Sequence, residues 1–456
     1  MIETRPATAC ELLAERVLGV TGVPAPELDE VVALRVFDTL GALASAVGAH
    51  GASVPGDHAW GGGADAGVLG TVRRLCALTR SSEVDDIERR SCTTPGSVAV
   101  PVALALAGER PVSGPTLLAA VAAGYETMVA IGEAVDGAFI LYRGIWPSYL
   151  AAPLAAAATT ARLLELDRSR FVDALAIAAA RVVGIAGRPP REPSSRWFLY
   201  GCAAAEGVAS ALAAAGGVAG DPAVLETVLG LQTQDDFREI RSSSKLPAVA
   251  RVDVKPYCTA RQVQSATEGA RRAWGQLNDA TVDAIIAIEV AVPEPYRSMI
   301  DQPRPSDRLS SIMSAQFQIA AALHDPARLY DVARTGLSLS GAGAAIGHAV
   351  SVVADPELTS LFPALWPAQV RVRLRDSREA CARVLDPDGA RAPGPGWDWL
   401  EDKHAALGGL GDALPAVAGT CRALHADAPA PARALLDLAL HSPHSLTSAA
   451  YSGGTP

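Results

Sequence analysis

The sequence predicts a mainly α-helical protein, in which a large all-helical domain is joined to a smaller α+β domain. Its 456 residues exceed the roughly 250–300 residues at which single domains stop growing, so two domains are expected. Hydrophobic residues make up 49% of the chain and aromatic residues only 5%. The core must therefore consist mostly of Ala, Leu and Val, which favours closely packed helices. After about residue 262 the composition changes, and β-branched residues begin to alternate along the chain.

The first half of the chain predicts successive helices, from residue 8 to about residue 245. Residues 28–46 carry apolar side chains at helical spacing, and several later segments repeat that pattern. Small residues on most of their faces predict burial on more than one side. Asp167 or Ser169 is expected to cap the helix that follows it.

The second half predicts a short sheet. Residues 281–293 and 369–375 have the composition and alternation of strands, and residues 381–385 are expected to pair with the second strand as a hairpin or a bulged turn. One face of residues 369–375 is basic, which we interpret as a solvated face of the sheet. A helix is expected over residues 312–324. The predicted boundaries are a helical domain of residues 1–261 completed by 403–441, an α+β domain of residues 262–402, and a flexible tail of residues 442–456.

Composition and spacing argue against several function classes. The net charge is −10 and no basic stripe is present, so nucleic-acid binding is not expected. No uninterrupted apolar run reaches the roughly 18 residues of a membrane helix, and the first residues lack the pattern of a secretory signal. The seven cysteines contain no CxxC pair, which predicts neither a disulfide framework nor a zinc site. We therefore expect a cytoplasmic protein that does not associate with a membrane.

Two polar blocks are candidates for chemistry. The first is Lys255-Pro256-Tyr257, and the second is Glu83-Val84-Asp85-Asp86. Between His58 and His324 the sequence contains no histidine, which is the commonest acid–base side chain. These blocks predict a site built from carboxylates and lysine.

Several segments in register resemble the MmgE/PrpD family, which includes 2-methylcitrate dehydratase, cis-aconitate decarboxylase and iminodisuccinate epimerase. The resemblance covers about residues 8–400. The matching segments are Phe37–Gly41, Pro95–Val98 with Ala103–Ala105, Gly114–Glu126, Pro153–Ala157 with Leu163–Asp167, Lys255–Tyr257, and Gln316-Phe317 with Ala320-Ala321. The resemblance implies a large helical domain, a smaller α+β lid domain, a cleft between them, a homodimer and a small-molecule substrate, with no metal or organic cofactor.

The resemblance also shows where this chain departs from the family pattern. Asp85, Asp86, Lys255 and Tyr257 match it outright. Where the family has histidines, this chain has Thr94 (with Thr93 as the alternative), Trp146 and Gln264; where the family has a catalytic lysine, it has Arg196.

These replacements predict altered chemistry. Threonine, tryptophan and glutamine do not titrate near neutral pH, and an arginine stays charged but can hold a carboxylate. We therefore expect methylcitrate dehydration to be lost. The candidates for moving a proton are Lys255, Tyr257, Glu83 and Asp86, and the candidates for binding substrate are Arg196, Gln264, Trp146, Thr94 and Asp85.

Each candidate also has a structural interpretation. Asp85 and Asp86 would cap a helix or pair with Arg89 and Arg90. Lys255 would be a surface lysine on a turn. Arg196 would pair with Glu192, and Trp146 would pack in the core.

Three functions remain open from the sequence. The first is a lyase or isomerase that acts on a carboxylate- or carbonyl-bearing intermediate by elimination, isomerisation or ring closure. The second is a cyclase that folds its substrate and stabilises charge without a proton base. The third is a ligand-binding pseudo-enzyme. The high content of Ala, Gly, Arg and Pro resembles that of actinobacterial proteins, in which diverged copies of the family often serve natural-product biosynthesis, and we expect such a pathway here.

Overall fold

The computed structural model describes residues 6–21, 26–50, 67–182, 195–230, 246–334, 337, 341–390 and 394–440. Contacts divide the chain into two compact units. Unit 1 comprises Met1–Pro189, Ser194–Val252 and Ala392–Pro456, and unit 2 comprises Pro190–Pro193 and Asp253–Arg391. The division thus falls at residues 252/253 and 391/392, where the sequence had suggested 261/262 and 402/403. The predicted tail, residues 442–456, lies outside the described residues.

The described part of unit 1 consists of helices and the loops between them, with two isolated β-bridges. Its first ten helices are α1 (Ala9–Thr21), α2 (Pro26–His50), α3 (Gly67–Ser81), α4 (Gly96–Glu109), α5 (Gly114–Ala134), α6 (Gly137–Ile140), α7 (Pro147–Leu163), α8 (Arg168–Ala179), α9 (Ser195–Ala215) and α10 (Val224–Leu229). Side-chain oxygen atoms cap the first turns of α5 and α8. Ser113 accepts a hydrogen bond from the Thr116 amide at the start of α5, and Asp167 accepts one from the Arg170 amide at the start of α8, which confirms Asp167 as the cap.

The core of unit 1 consists of alanine-rich helices. α5 packs against α7, α7 packs against α9, and α9 packs against α3. Small side chains allow this close approach, because a Cβ at Gly207 of α9 would lie 2.1 Å from the Pro153 carbonyl oxygen of α7. The central helix α2 is buried from Val32 to Val47 and contacts α3, α4 and α5.

Unit 2 contains a four-stranded mixed sheet. Its strands are β1 (Ile285–Val292), β2 (Val350–Ala354), β3 (Ala368–Leu374) and β4 (Glu379–Val384), in the order β2-β1-β3-β4. β1 runs parallel to β2 and antiparallel to β3, and β3 pairs with β4 as a hairpin. Its helices are α11 (Arg261–Trp274), α12 (Glu294–Ile300), α13 (Arg308–Met313), α14 (Ala315–His324), α15 (Ala342–Ala349) and α16 (Pro356–Ser360).

The strand pattern predicted from the sequence is confirmed for β1, β3 and β4. In β3 the apolar side chains are buried, whereas Arg371 and Arg373 are exposed, so the basic face is a solvated one. The sequence analysis missed β2, and the helix predicted over residues 312–324 is divided at Ser314, which caps α14. α11 packs on β3 and β4, and Gly269 permits this because a Cβ there would lie 2.8 Å from Val370 Cγ2.

The chain then returns to unit 1 through α17 (Trp397–Leu407), α18 (Leu414–Arg422) and α19 (Ala432–Leu440), all of which contact α2. The mainly α fold with an α+β part is therefore confirmed. By length and composition alone, three helices in the described part of the chain could cross a membrane, contrary to the expectation from uninterrupted apolar runs. They are α2, α5 and α9, and the apolar windows of these helices are 89%, 83% and 50% buried.

Candidate active site

The acid loop, residues 82–95 between α3 and α4, carries the first polar block. Glu83, Asp85 and Asp86 are all buried, and Glu83 has a left-handed backbone with φ of 57°. A bridge between Glu88 and Thr93 closes the loop, with the Glu88 amide 2.8 Å from the Thr93 oxygen. Glu88 is buried too, so the loop presents four carboxyl groups inside unit 1, and each of them needs a partner.

Arg80, at the end of α3, is the partner of two of these carboxyls. Its Nη1 lies 3.0 Å from Glu83 Oε2 and 3.2 Å from Asp85 Oδ1. Burial acts to lower the pKa of Arg80, but the charges of Asp85 and Glu83 outweigh it and raise the pKa. Pairing of Asp85 with an arginine was anticipated, and Arg80, which precedes the loop, is one such partner.

Arg196, in the first turn of α9, lies beside this ion-pair group. Its Cζ is 4.0 Å from the ring centroid of Trp146 and 4.9 Å from that of Trp197. Burial lowers the pKa of Arg196, the charge of Arg80 lowers it further, and Tyr149 and Glu83 act to raise it. The guanidinium nevertheless stays protonated, because arginine does not lose its charge in proteins.

The position of Arg196 bears on the two interpretations of Trp146, as a side chain that binds substrate and as one that packs in the core. The indole offers its π-face to a cation, and the cation that lies on it is Arg196. Its Nε1 atom is buried and has no hydrogen-bond partner among the described residues. Glu192, the suggested partner of Arg196, lies outside the described residues.

Hydroxyl groups from three helices surround Thr94, at the end of the acid loop. The Thr94 amide donates to Ser148 Oγ at 3.1 Å, and Thr94 Oγ1 lies 3.3 Å from the Tyr200 hydroxyl. Ser97 Oγ lies 2.9 Å from the same hydroxyl. Burial raises the pKa of Tyr200, and it raises that of Tyr149 to about 12, so both phenols are neutral hydrogen-bond donors.

Asp86 lies on another side of the loop. Its Oδ2 accepts a hydrogen bond from the Tyr125 hydroxyl at 2.5 Å, and its Oδ1 accepts one from the Gly96 amide at 3.0 Å, the first amide of α4. The helix-capping interpretation of Asp86 is thus met. Burial raises its pKa to about 6, although both hydrogen bonds act to lower it. A carboxyl with that pKa exchanges protons readily near neutral pH.

The sequence analysis missed a second charged group beneath the loop, formed by Asp38, Lys403 and His404. Lys403 Nζ donates to Asp38 Oδ1 at 2.6 Å and to the Val84 carbonyl oxygen at 3.0 Å. His404 Nε2 lies 3.0 Å from Asp38 Oδ1. Burial would raise the pKa of Asp38, but Lys403 and His404 outweigh it and lower the pKa to about 2. Burial lowers the pKa of His404, so its imidazole is neutral at neutral pH.

The remaining candidates belong to unit 2. Lys255 is only 2% exposed, so it is not a surface lysine. Tyr257 packs in an apolar cluster with Phe317 and Leu329, and burial raises its pKa although a hydrogen bond with Thr267 lowers it. This packing favours a structural role for Tyr257 over the proton transfer expected of it. Gln264 is 1% exposed, and neither atom of its side-chain amide has a hydrogen-bond partner among the described residues.

The structure therefore joins Glu83, Asp85, Thr94, Trp146 and Arg196 into one polar region of unit 1, held by Arg80, Tyr149 and Tyr200. Asp86 leaves the same loop toward Tyr125. Among the described residues, no group of three or more His, Cys, Asp or Glu side chains could hold a metal ion.

Two comparisons with known proteins bear on this region. The MmgE/PrpD N-terminal domain matches residues 27–234, and the MmgE/PrpD C-terminal domain matches residues 257–411. The first match contains the acid loop, Trp146 and Arg196, and the second contains Tyr257 and Gln264. A search of curated proteins finds no significant match.

Proposed function

This chain belongs to the MmgE/PrpD family, whose members are generally lyases and dehydratases, and on that basis we propose that it is a cofactor-independent lyase or isomerase acting on a carboxylate- or carbonyl-bearing intermediate. One observation supports this proposal most. In the acid loop, the carboxyl of Asp86, with a pKa of about 6, directly follows two buried carboxylates that are paired with Arg80.

Proton transfer is assigned to Asp86. With a pKa of about 6 it is mostly ionised at neutral pH, yet it binds a proton more readily than an ordinary aspartate. A carboxylate has about four lone-pair sites, so the bonds from Tyr125 and Gly96 leave acceptor capacity. Asp86 would take the proton next to the substrate carboxylate or carbonyl group.

Charge stabilisation is assigned to Arg196. Two arginines and two carboxylates, Arg80 and Arg196 with Glu83 and Asp85, balance one another's charge, so the region holds fixed dipoles in a buried setting. The Trp146 and Trp197 rings restrict the guanidinium from two directions. A fixed guanidinium can bind a carboxylate through two parallel hydrogen bonds and stabilise negative charge that develops on oxygen.

The cyclase alternative has one observation in its favour, the aromatic side chains around the guanidinium. The Tyr149 and Tyr200 rings lie 5.1 Å apart, and Trp146 lies 6.2 Å from Tyr149. Such surfaces can hold a flexible apolar chain in a folded conformation while Arg196 stabilises polar charge.

The test is to incubate the full chain in D₂O with hydroxy-, keto- and unsaturated carboxylates and to follow products and carbon-bound deuterium by NMR. A lyase or isomerase that uses a base puts deuterium on carbon when it adds to an unsaturated acid, or when removal of the substrate proton is reversed in D₂O. A cyclase that needs no base gives product without deuterium, and a pseudo-enzyme gives binding without product.

Two variants identify the residues responsible. Asp86→Asn should slow turnover by about 10²- to 10⁴-fold, the usual contribution of a positioned acid or base. Arg196→Met should slow it by about 10²- to 10³-fold, as loss of one charge-stabilising group does. Arg181→Met is the matched control, because Arg181 forms an exposed ion pair with Glu206 on the solvent side of α9. Full turnover in both variants would reject the assignment.

We also propose that the chain acts as a homodimer in the cytoplasm and that its substrate is an intermediate of natural-product biosynthesis. Family resemblance supports the first of these, and composition supports the others. Light scattering on the purified chain tests the dimer, and incubation with intermediates from neighbouring biosynthetic genes tests the pathway.

A further inference from the structure

β4 is an edge strand of the sheet in unit 2. In the strand order β2-β1-β3-β4, only β3 pairs with it within the part of the chain that the structure describes. The hairpin fixes which backbone groups point outward. Its closing pair is hydrogen-bonded, with the Leu374 amide 2.9 Å from the Arg378 oxygen, and such pairs alternate along antiparallel strands. The amides and carbonyls of Glu379, Cys381 and Arg383 therefore point away from β3.

The contact of one side chain agrees with this direction. Gln276 Nε2 donates to the Cys381 carbonyl oxygen at 3.4 Å, from beyond the end of α11. A carbonyl oxygen has two lone pairs, so it can accept a second hydrogen bond. A row of outward amides and carbonyls at a sheet edge pairs readily with another extended chain. The outer edge of β4 is therefore a candidate surface for strand pairing.

The side chains of the same three residues share the solvated face of the sheet. Glu379, Cys381 and Arg383 are all exposed. Glu379 forms an exposed ion pair with Arg371, and Arg383 forms one with Glu357. Exposed ion pairs are weak, so they leave both side chains able to make further contacts. The edge thus presents an acid, a thiol and a base at alternate positions.

The order of these side chains selects a second copy of β4 as the partner. If two copies pair antiparallel about a twofold axis at Cys381, Glu379 of each lies opposite Arg383 of the other. The junction then holds two opposite-charge pairs and about six backbone hydrogen bonds, two for each pair of outward residues. An axis at Glu379 or Arg383 places like charges opposite each other, which is destabilising. An axis at Ala380 or Ala382 leaves both charges without an opposite charge across the junction.

The helix layer is compatible with this junction. α11 packs on both β3 and β4, so we place its axis over the space between them. Strands lie about 4.8 Å apart, so the α11 axes of two copies would lie about 10 Å apart. Packed helices have similar spacings of about 8–10 Å. Two copies can therefore continue the sheet and its helix layer together.

We propose that β4 pairs with β4 of a second copy of this chain, antiparallel and centred on Cys381, so that one sheet continues across both copies. The contact needs no turnover and is independent of the chemistry assigned to unit 1. It gives the proposed homodimer a specific surface. A homodimer can also form through other surfaces, so the two proposals are tested separately.

The test is thiol crosslinking of the full chain with bismaleimidoethane, a short reagent that joins two cysteines, followed by peptide mass spectrometry. Wild type should give a crosslink between Cys381 of two copies, and its yield should rise with protein concentration. Cys381→Ser should lose this product. Cys202→Ser should keep it, because it removes the partly buried thiol of α9 and leaves the β4 edge intact.

Charge variants test the register of the junction. Arg383→Glu should weaken association about ten- to thirtyfold, because two opposite-charge pairs become two like-charge pairs. The double variant Glu379→Arg with Arg383→Glu exchanges the charges and should restore association. Arg375→Glu is the matched control, since Arg375 is an exposed arginine at the hairpin turn whose side chain reaches the Asp283 carbonyl oxygen, on the side away from β4's outer edge. It should associate as wild type does.

Arg383→Pro tests the backbone of the edge. It removes an outward amide and leaves the bonds between β4 and β3 in place, and proline is tolerated on edge strands where the amide faces solvent. Its thermal unfolding should therefore stay close to that of wild type. The Cys381 crosslink should fall to the level of Arg383→Glu or below.

Light scattering on the same samples separates this proposal from the homodimer. A dimer without a crosslink between Cys381 of two copies would reject the β4 contact and leave the homodimer standing. A chain that stays monomeric at every concentration would reject both. Association that is unchanged in Arg383→Glu and Arg383→Pro, or that the charge exchange fails to restore, would also overturn the β4 contact.

Discussion

Lys403 should determine whether the acid loop keeps its conformation. Its ammonium is buried and bonds both Asp38 and the Val84 carbonyl oxygen, which lies between Glu83 and Asp85. Lys403→Met keeps the length of the side chain and removes both bonds. Breaking a buried ion pair from one side costs about 3–5 kcal/mol, because the remaining charge is left without compensation. We expect a loss of that size, with faster amide exchange in residues 82–95.

The pKa of Asp38 gives a second measure of the same interaction. A shift from 3.8 to about 2 corresponds to about 2 kcal/mol of stability. Because the folded pKa is the lower one, this contribution is present above about pH 4 and is lost as the pH falls toward 2. The loss in Lys403→Met should therefore shrink on acidification. It also includes the broken bond to Val84, which explains why the expected total exceeds 2 kcal/mol.

The assay is equilibrium unfolding followed by tryptophan fluorescence, combined with hydrogen–deuterium exchange of the acid loop. Arg422→Met is the control, because Arg422 forms a half-exposed ion pair with Glu401 of α17 and should cost at most about 1 kcal/mol. The double variant Asp38→Asn with Lys403→Met should regain part of the loss. A cost below about 1 kcal/mol, with unchanged exchange in residues 82–95, would refute the role of Lys403.

The remaining predictions concern the same unit. Asp86→Asn should change how stability depends on pH, because the folded pKa of Asp86 is raised to about 6. The contribution of the wild-type carboxyl to stability is fully present below about pH 4, and about 3 kcal/mol of it is lost as the pH rises through 6. Unfolding midpoints measured from about pH 4 to 7 should show this decrease in the wild type and not in the variant. Gly41→Ala should cost about 1–3 kcal/mol in urea unfolding, because its Cβ would lie 2.1 Å from His404 Nδ1, and a midpoint equal to wild type would contradict that contact. Trp146→Leu should lower turnover without unfolding the chain, because the ring that positions the Arg196 guanidinium is lost. Unchanged turnover would show that the stacked ring has no part in positioning the guanidinium.

Much of the scaffold could be predicted because its signals are local. Helical spacing, the Asp167 cap and the alternation in β3 each depend on residues close in the chain. β2 was missed because its five residues, Val350–Ala354, follow α15 directly and are half exposed, so neither length nor alternation marks them. Its strand character comes from parallel pairing with β1, which is a non-local contact.

Only part of the site could be predicted, because several of its contacts join residues that are far apart in the chain. Glu83, Asp85 and Arg196 could be selected by residue type and family resemblance, but Arg80 could not, since it is an arginine at the end of an ordinary amphipathic helix. Lys403 and His404 follow Asp38 by more than 360 residues, and only the return of α17 to α2 brings them together. The chain has no histidine between His58 and His324, but His404, near its end, places a buried imidazole beside Asp38.

The most direct test of the account is the pH dependence of solvent deuterium incorporation into the substrate carbon. If Asp86 is the base, the rate in the wild type should rise with pH through an apparent pKa near 6, and Asp86→Asn should lose both the rate and that rise. A rate that stays constant between about pH 5 and 8, or that survives in Asp86→Asn, would contradict the assignment of proton transfer to the acid loop.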